Sequence, residues 1–203
     1  MKWLWPGWLL CALTAGLFVY MNAVQGSDFS KLLGGLKTPD AMCLTGYDLS
    51  GARGLFDRLV EDLSVAKAES RSSASELYVA IHASSDLLFP PLMALSLAFL
   101  GFAALHSRGA HSEMPRLVRI GLGLVWALAF VYLVSDFIEN AVADAMFGPD
   151  ALKAGLNEQL VFVLQVLTAS KFLTLFTAFG IIAMLWVWRL KSRVQAASLP
   201  TKQ

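Results

Sequence analysis

The chain has 203 residues, 57% of them hydrophobic and only 15% charged, with a formal net charge of +1. Soluble domains carry about 25% charged residues, so this balance belongs to a protein whose main solvent is lipid. Near-neutral charge leaves no basic surface for nucleic acid. Two cysteines, Cys11 in an apolar stretch and Cys43 in a polar one, suggest neither a disulfide framework nor a metal knuckle.

Four segments reach the length of about 20 mainly apolar residues that a membrane helix needs. They run over about 3–23, 77–105, 117–143 and 159–188. Trp3, Trp5, Trp8 and Tyr20 bracket the first like interfacial anchors, and no small-x-small cleavage site follows it. Leu9 and Leu10 before Cys11 lack the small residue of a lipoprotein site, so this span is expected to be retained.

The segment 24–76 follows as an external region. Gly34, Gly35, Pro39 and Gly46 mark its first part as loop. Ser50 then reads as the N-cap of an amphipathic helix with Ala52, Leu55, Phe56, Leu59, Val60 and Leu63 on one face. Arg53, Asp57, Arg58, Glu61 and Asp62 take the other face. Such a helix either lies on the outer leaflet or caps the bundle, capping being the simpler arrangement.

In the second span His82 and Asp86 are spaced i, i+4, which places them on one helical face beside Ser85. Pro90-Pro91 follows and is expected to bend the helix. In the third, Asp136, Glu139 and Asn140 again share one face, while Trp126, Phe130 and Tyr132 read as ordinary lipid-facing or interface composition. Asp144, Asp150 and Glu158, with Lys153, are assigned to the connection before the fourth span, which brings Gln165, Thr168 and Lys171.

A charge at mid-bilayer depth costs about 2.5–3.5 kcal/mol on insertion scales and persists only where it faces protein or water. At 1.5 Å per residue, Asp86 and Asp136 lie roughly 14 and roughly 10 Å below the outer surface, and Lys171 roughly 18 Å. The lysine stem can snorkel to the level of the carboxylates. His82, Asp86, Asp136, Glu139, Asn140, Gln165, Thr168 and Lys171 therefore form one candidate polar network.

Positive charge sets the orientation. Arg108, Arg116 and Arg119 crowd the loop between spans two and three, Arg189, Lys191 and Arg193 follow span four, and Lys2 precedes span one. Both termini are expected on the cytoplasmic side of a bacterial inner membrane. The fold class is thus an all-α, four-helix transmembrane bundle with an external amphipathic helix between spans one and two.

Several functions suit such a network. It can fix helix register through ion pairs, carry a proton or solute, or read the head group of a lipid or other apolar ligand. Acid/base or metal chemistry with His82, Asp86, Asp136 and Glu139 is a further reading, although one histidine is meagre for zinc. Four spans are few for a transporter unless the chain forms a homo-oligomer. CxxC, a glycine-rich phosphate loop, GxSxG and HExxH are all missing, and no cofactor is implied. A binding or assembly role in the bilayer is the expected function.

The order of these features resembles a family of small, uncharacterised four-span bacterial membrane proteins. Asp86-Leu87-Leu88-Phe89-Pro90, Asp136-Phe137-Ile138-Glu139-Asn140 and Thr168-x-x-Lys171 carry the likeness, over about residues 47–179. It implies the fold and no activity. Met93 stands where members often have tyrosine. His82-x-x-x-Asp86 is also similar to the sterol-isomerase and sigma-2-receptor family, which places His and acidic groups around an apolar ligand, although the surrounding residues differ.

Overall fold

A computed structural model describes residues 4–36, 48–106 and 115–197. Lys2, Trp3, Pro39, Cys43, Gly46, Arg108 and position 47, where the resemblance begins, lie outside the described residues, which are all-α with no strand. Four long apolar helical segments, Trp5–Leu32, Ala74–Leu105, Arg116–Phe147 and Glu158–Lys191, can each cross a membrane. Each exceeds the expected length because polar turns continue the helices beyond the apolar stretches.

The first segment is α1 (Trp5–Tyr20), a π-helical turn over Met21–Gln25, and α2 (Gly26–Leu32). Residues 24–32, expected as external loop, are therefore helical. The apolar stretch ends at Ala23, but Phe29 is buried against Tyr78 with ring centroids 5.5 Å apart, which holds α2 in place. Gly34 and Gly35, at φ 64° and 98°, close α2, and the Gly35 N–H donates to the Ser30 carbonyl. This is the left-handed ending that glycine adopts without steric cost.

Helix α3 (Leu49–Glu69) starts from Asp48, not Ser50. The Asp48 carboxylate accepts from the Gly51 N–H at 2.8 Å and from the Ser50 hydroxyl at 3.2 Å. These bonds hold its carboxyl below the usual range, so the cap stays charged. Asp48 wins because a carboxylate at the cap also meets the helix dipole. Ala52, Leu55, Phe56 and Leu59 are buried against Met146, Phe147, Val161 and Leu164, so α3 caps the bundle. Val60 stays 41% exposed, at the edge of that face.

Asp62, expected on the solvent side, is buried. It accepts from Arg71 and from the Ala74 N–H, both at 2.6 Å. The chain turns back after α3 and brings the start of the next helix to it. A carboxylate is tolerated there because charged donors and a free helix N-terminus converge on it. The Asp62 and Glu69 carboxylates in turn push the Arg71 guanidinium above its ordinary range.

The second span is two helices. α4 (Ala74–His82) opens on a Ser73/Glu76 capping box and ends at Ala83. α5 (Ser85–Leu105) restarts after Ser84, whose φ −124°, ψ −94° is outside the helical region. Pro90 and Pro91 lie inside α5, near enough to its start that few backbone bonds are lost. They do remove the amide donors that would reach the Asp86 and Leu87 carbonyls.

α6 (Arg116–Phe147) extends past Asp144, α7 (Ala151–Ala154) is a single turn, and α8 (Glu158–Ala197) closes the bundle. Successive spans are antiparallel: Val118 packs near Leu185, Val125 near Ala178, and Thr168 bonds Glu139. α1 lies along α5. Thr14 bonds Ser96 at 2.9 Å, and Phe18 stacks on Phe89. Gly7 admits the Phe99 ring; a Cβ there would lie 2.1 Å from it. Outward positions such as Leu13, Leu95, Phe130 and Leu173 are more than half exposed, an apolar belt suited to lipid.

Candidate binding site between the spans

The third and fourth spans put their polar faces together. Asp136 and Glu139 are one turn apart on α6, and Thr168 and Lys171 one turn apart on α8. The Lys171 ammonium lies 2.9 Å from Asp136 Oδ1 and also meets the Glu139 carboxylate. The Thr168 hydroxyl donates to the other oxygen of Glu139. All four are buried, with Glu139 fully so. Charge-assisted bonds of this kind offset the desolvation of the ions when the lone pairs and protons are matched.

Asp86, also buried, joins Asp136 and Lys171 on the wall of a cavity of about 470 Å³. The rest of that wall is largely aromatic and aliphatic: Phe18, Phe89, Met93, Tyr132, Phe172 and Leu175. A small-molecule site of this size, mostly apolar with a few convergent polar groups, is the usual form of a ligand pocket.

Not every expected member reaches it. His82 and Asp86 do not share a helical face, because the break at Ala83–Ser84 separates α4 from α5. His82 is buried, but its Nδ1 lies 2.6 Å from Asp144 Oδ1, and its ring sits 4.2 Å from that of Tyr78. Asn140 is buried beside Glu139 on α6, and Gln165 is half-buried one turn before Thr168; neither lines the cavity. Among the described residues, no three His, Cys, Asp or Glu side chains converge as metal ligands do. His106 lies against Phe102 at the opposite end of the bundle, with ring centroids 5.2 Å apart.

Three contributors were not foreseen. Asp144 was assigned to the connecting loop, yet it follows Asp136 and Asn140 at i+8 and i+4, a periodicity that carries α6 on to Phe147. Tyr132, taken as lipid-facing, is 2% exposed and lines the cavity, one turn before Asp136. The first segment supplies the remaining side: Asn22 and Gln25 from the π turn, then Ser27 and Ser30 from α2. Gln25 accepts the Ser85 hydroxyl at 2.6 Å, which ties the π turn to the start of α5. Their signal was the run of small polar residues that ends the apolar stretch, and π turns often occur at functional sites.

No protein-family model, no curated protein and no solved structure matches this chain.

Proposed function

We propose that this protein binds a small amphiphilic molecule inside the bilayer, with the ligand's apolar body against the aromatic wall and its polar end at Asp86, Asp136 and Lys171. The observation that carries the reading is the cavity itself. A network needed only to lock α6 to α8 has no use for about 470 Å³ of space beside its charges. The Lys171–Asp136–Glu139–Thr168 contacts serve both purposes, since they set helix register and hold the charged wall rigid.

The orientation that goes with this reading puts both termini in the cytoplasm of a bacterial cell, following Arg116, Arg119, Arg189 and Lys191. The cavity then opens within the outer half of the membrane. Met93, where members of the family the chain resembles often have tyrosine, contributes a thioether to the cavity wall.

Mass spectrometry of solvent extracts from gently purified protein tests the reading. A stoichiometric amphiphile is expected with the natural chain and is reduced in Met93→Trp, whose larger indole takes up part of the cavity. An identical lipid complement from both, with the variant folded, overturns it.

A further inference from the structure

We infer that the ligand is a lipid of the leaflet on the α3 side, which slips one hydrocarbon chain sideways into the cavity between the first segment and α8. This rests on the cavity-binding reading above. The back of the cavity is closed: Tyr78, Asp86, Tyr132, Asp136 and Lys171 line it and are buried. The front is the first segment, where Phe18 lines the same space while 51% exposed, and Asn22 is exposed as well. A side chain that borders a cavity and the surroundings together marks its rim. α1 rests on α5 and α8 on α6, and the first segment meets α8 where Trp8 approaches Trp186, ring centroids 6.2 Å apart. That contact lies roughly 15 Å from the rim at 1.5 Å per residue, on the side away from α3. From there toward α3 the two helices border the cavity, with Phe18 and Met21 on one and Phe172 and Leu175 on the other. Leu173 and Phe176 beside them on α8 are 65% and 53% exposed, so the opening faces the apolar belt. A mouth set in hydrocarbon is reached by molecules already dissolved there.

The shape of the cavity suits a chain held as the bilayer holds it. Phe18 and Ser30 mark its ends on the first segment, roughly 18 Å apart at 1.5 Å per residue. One leaflet with its head groups is about 20 Å thick. Polarity follows the same direction. Ser27 and Ser30 lie at the end near α3, and Phe18, Met93 and Leu175 at the end near the bilayer centre. Asp86 follows Ser85, whose hydroxyl bonds Gln25 at 2.6 Å. The charged wall therefore starts partway down, where the polar end of the ligand gives way to its chain. A space of about 470 Å³ takes one chain and its polar end; a second chain stays in the bilayer, outside the opening.

Tyr78 and Tyr132 are 1% and 2% exposed and both line the cavity, so a lipid chain reaches them only from inside it. Tyr78 lies near the α3 end, and Tyr132 roughly 22 Å below the end of α6 at Phe147. The full chain is placed in nanodiscs of phosphatidylcholine that carries a diazirine either close to the ester or close to the chain terminus. After irradiation, the labelled residues are mapped by peptide mass spectrometry. The ester-proximal probe is expected to label Tyr78, and the terminal probe Tyr132. Met93→Trp is expected to lose most of the Tyr132 label, while Leu95 and Leu173 in the apolar belt keep theirs. Label confined to the belt, with a stoichiometric amphiphile still extracted from the natural chain, overturns the bilayer-lipid class and leaves cavity binding standing. Label confined to the belt with no such amphiphile overturns both. Labelling of the two tyrosines in the reverse order, or without discrimination between the probes, overturns the lengthwise chain. The two probes on the natural chain decide the matter even where Met93→Trp does not fold.

Discussion

Lys171 of α8 and Asp136 of α6 meet at 2.9 Å, each of them buried, more than thirty residues apart in the chain. The same ammonium contacts Glu139, so one cation serves two carboxylates one turn apart. Removing a single partner from such a set strands a charge in a low-dielectric interior, which costs more than the intact contact contributes.

Lys171→Met is therefore expected to destabilise the protein by about 3–5 kcal/mol, the scale for breaking a buried pair from one side. Asp136→Asn in the same background should recover part of that loss. The coupling between the two positions is expected at about 1–3 kcal/mol in a double-mutant cycle of unfolding in detergent micelles. Additivity of the two single changes would mean that the contact does not stabilise the α6–α8 pair.

Asp62 ties the capping helix to the second span. Asp62→Ala removes one of the two carboxylates that Arg71 engages and leaves the Ala74 N–H without its buried acceptor, a loss of about 1.5–3 kcal/mol for a bond to a charged group. Because α3 carries Arg53, Arg58 and Lys67, limited trypsin digestion reads the outcome directly. Cleavage within α3 is expected to accelerate in Asp62→Ala and to stay unchanged in Asp57→Ala, which is exposed.

The attachment of α1 to α5 depends on small residues. Gly7→Leu places a side chain where the Phe99 ring lies and is expected to cost about 1–3 kcal/mol through overpacking. Thr14→Val removes the bond to Ser96 and is expected to cost only about 0.6 kcal/mol, the average for interhelical hydrogen bonds in lipid. Thermal unfolding of the two variants should rank them in that order, and the reverse order would place the attachment elsewhere along the helix.

Sidedness has its own test. With Cys11 and Cys43 replaced by serine, a cysteine at Ser64 on α3 should react with an impermeant maleimide in intact cells. A cysteine at Lys191 should react only after the membrane is opened. The opposite pattern would reverse the orientation that the arginine distribution implies.

Much of the architecture can be read from residue order, because lipid imposes a simple rule: apolar segments of sufficient length become helices with every backbone group paired internally. Four spans, the amphipathic α3 and the polar faces of α6 and α8 all follow from periodicity of about 3.6 residues. Asp136, Glu139, Thr168 and Lys171 could be singled out in the same way, since ionisable groups are rare at such depth.

What periodicity could not supply was which faces meet and where helices stop. His82 and Asp86 share a face only if the helix is unbroken, and the turn at Ala83–Ser84 turns one toward Asp144 and the other toward the cavity. Asp62 looked solvent-exposed because its role depends on Arg71 and Ala74 folding back onto it. The wall formed by Asn22, Gln25 and Ser30 exists because α1 lies on α5 and carries its π turn to the start of that helix. Hydropathy along one strand of chain reports how each residue partitions between water and lipid; a cavity is a property of several helices at once, created where their side chains do not fill the space between them.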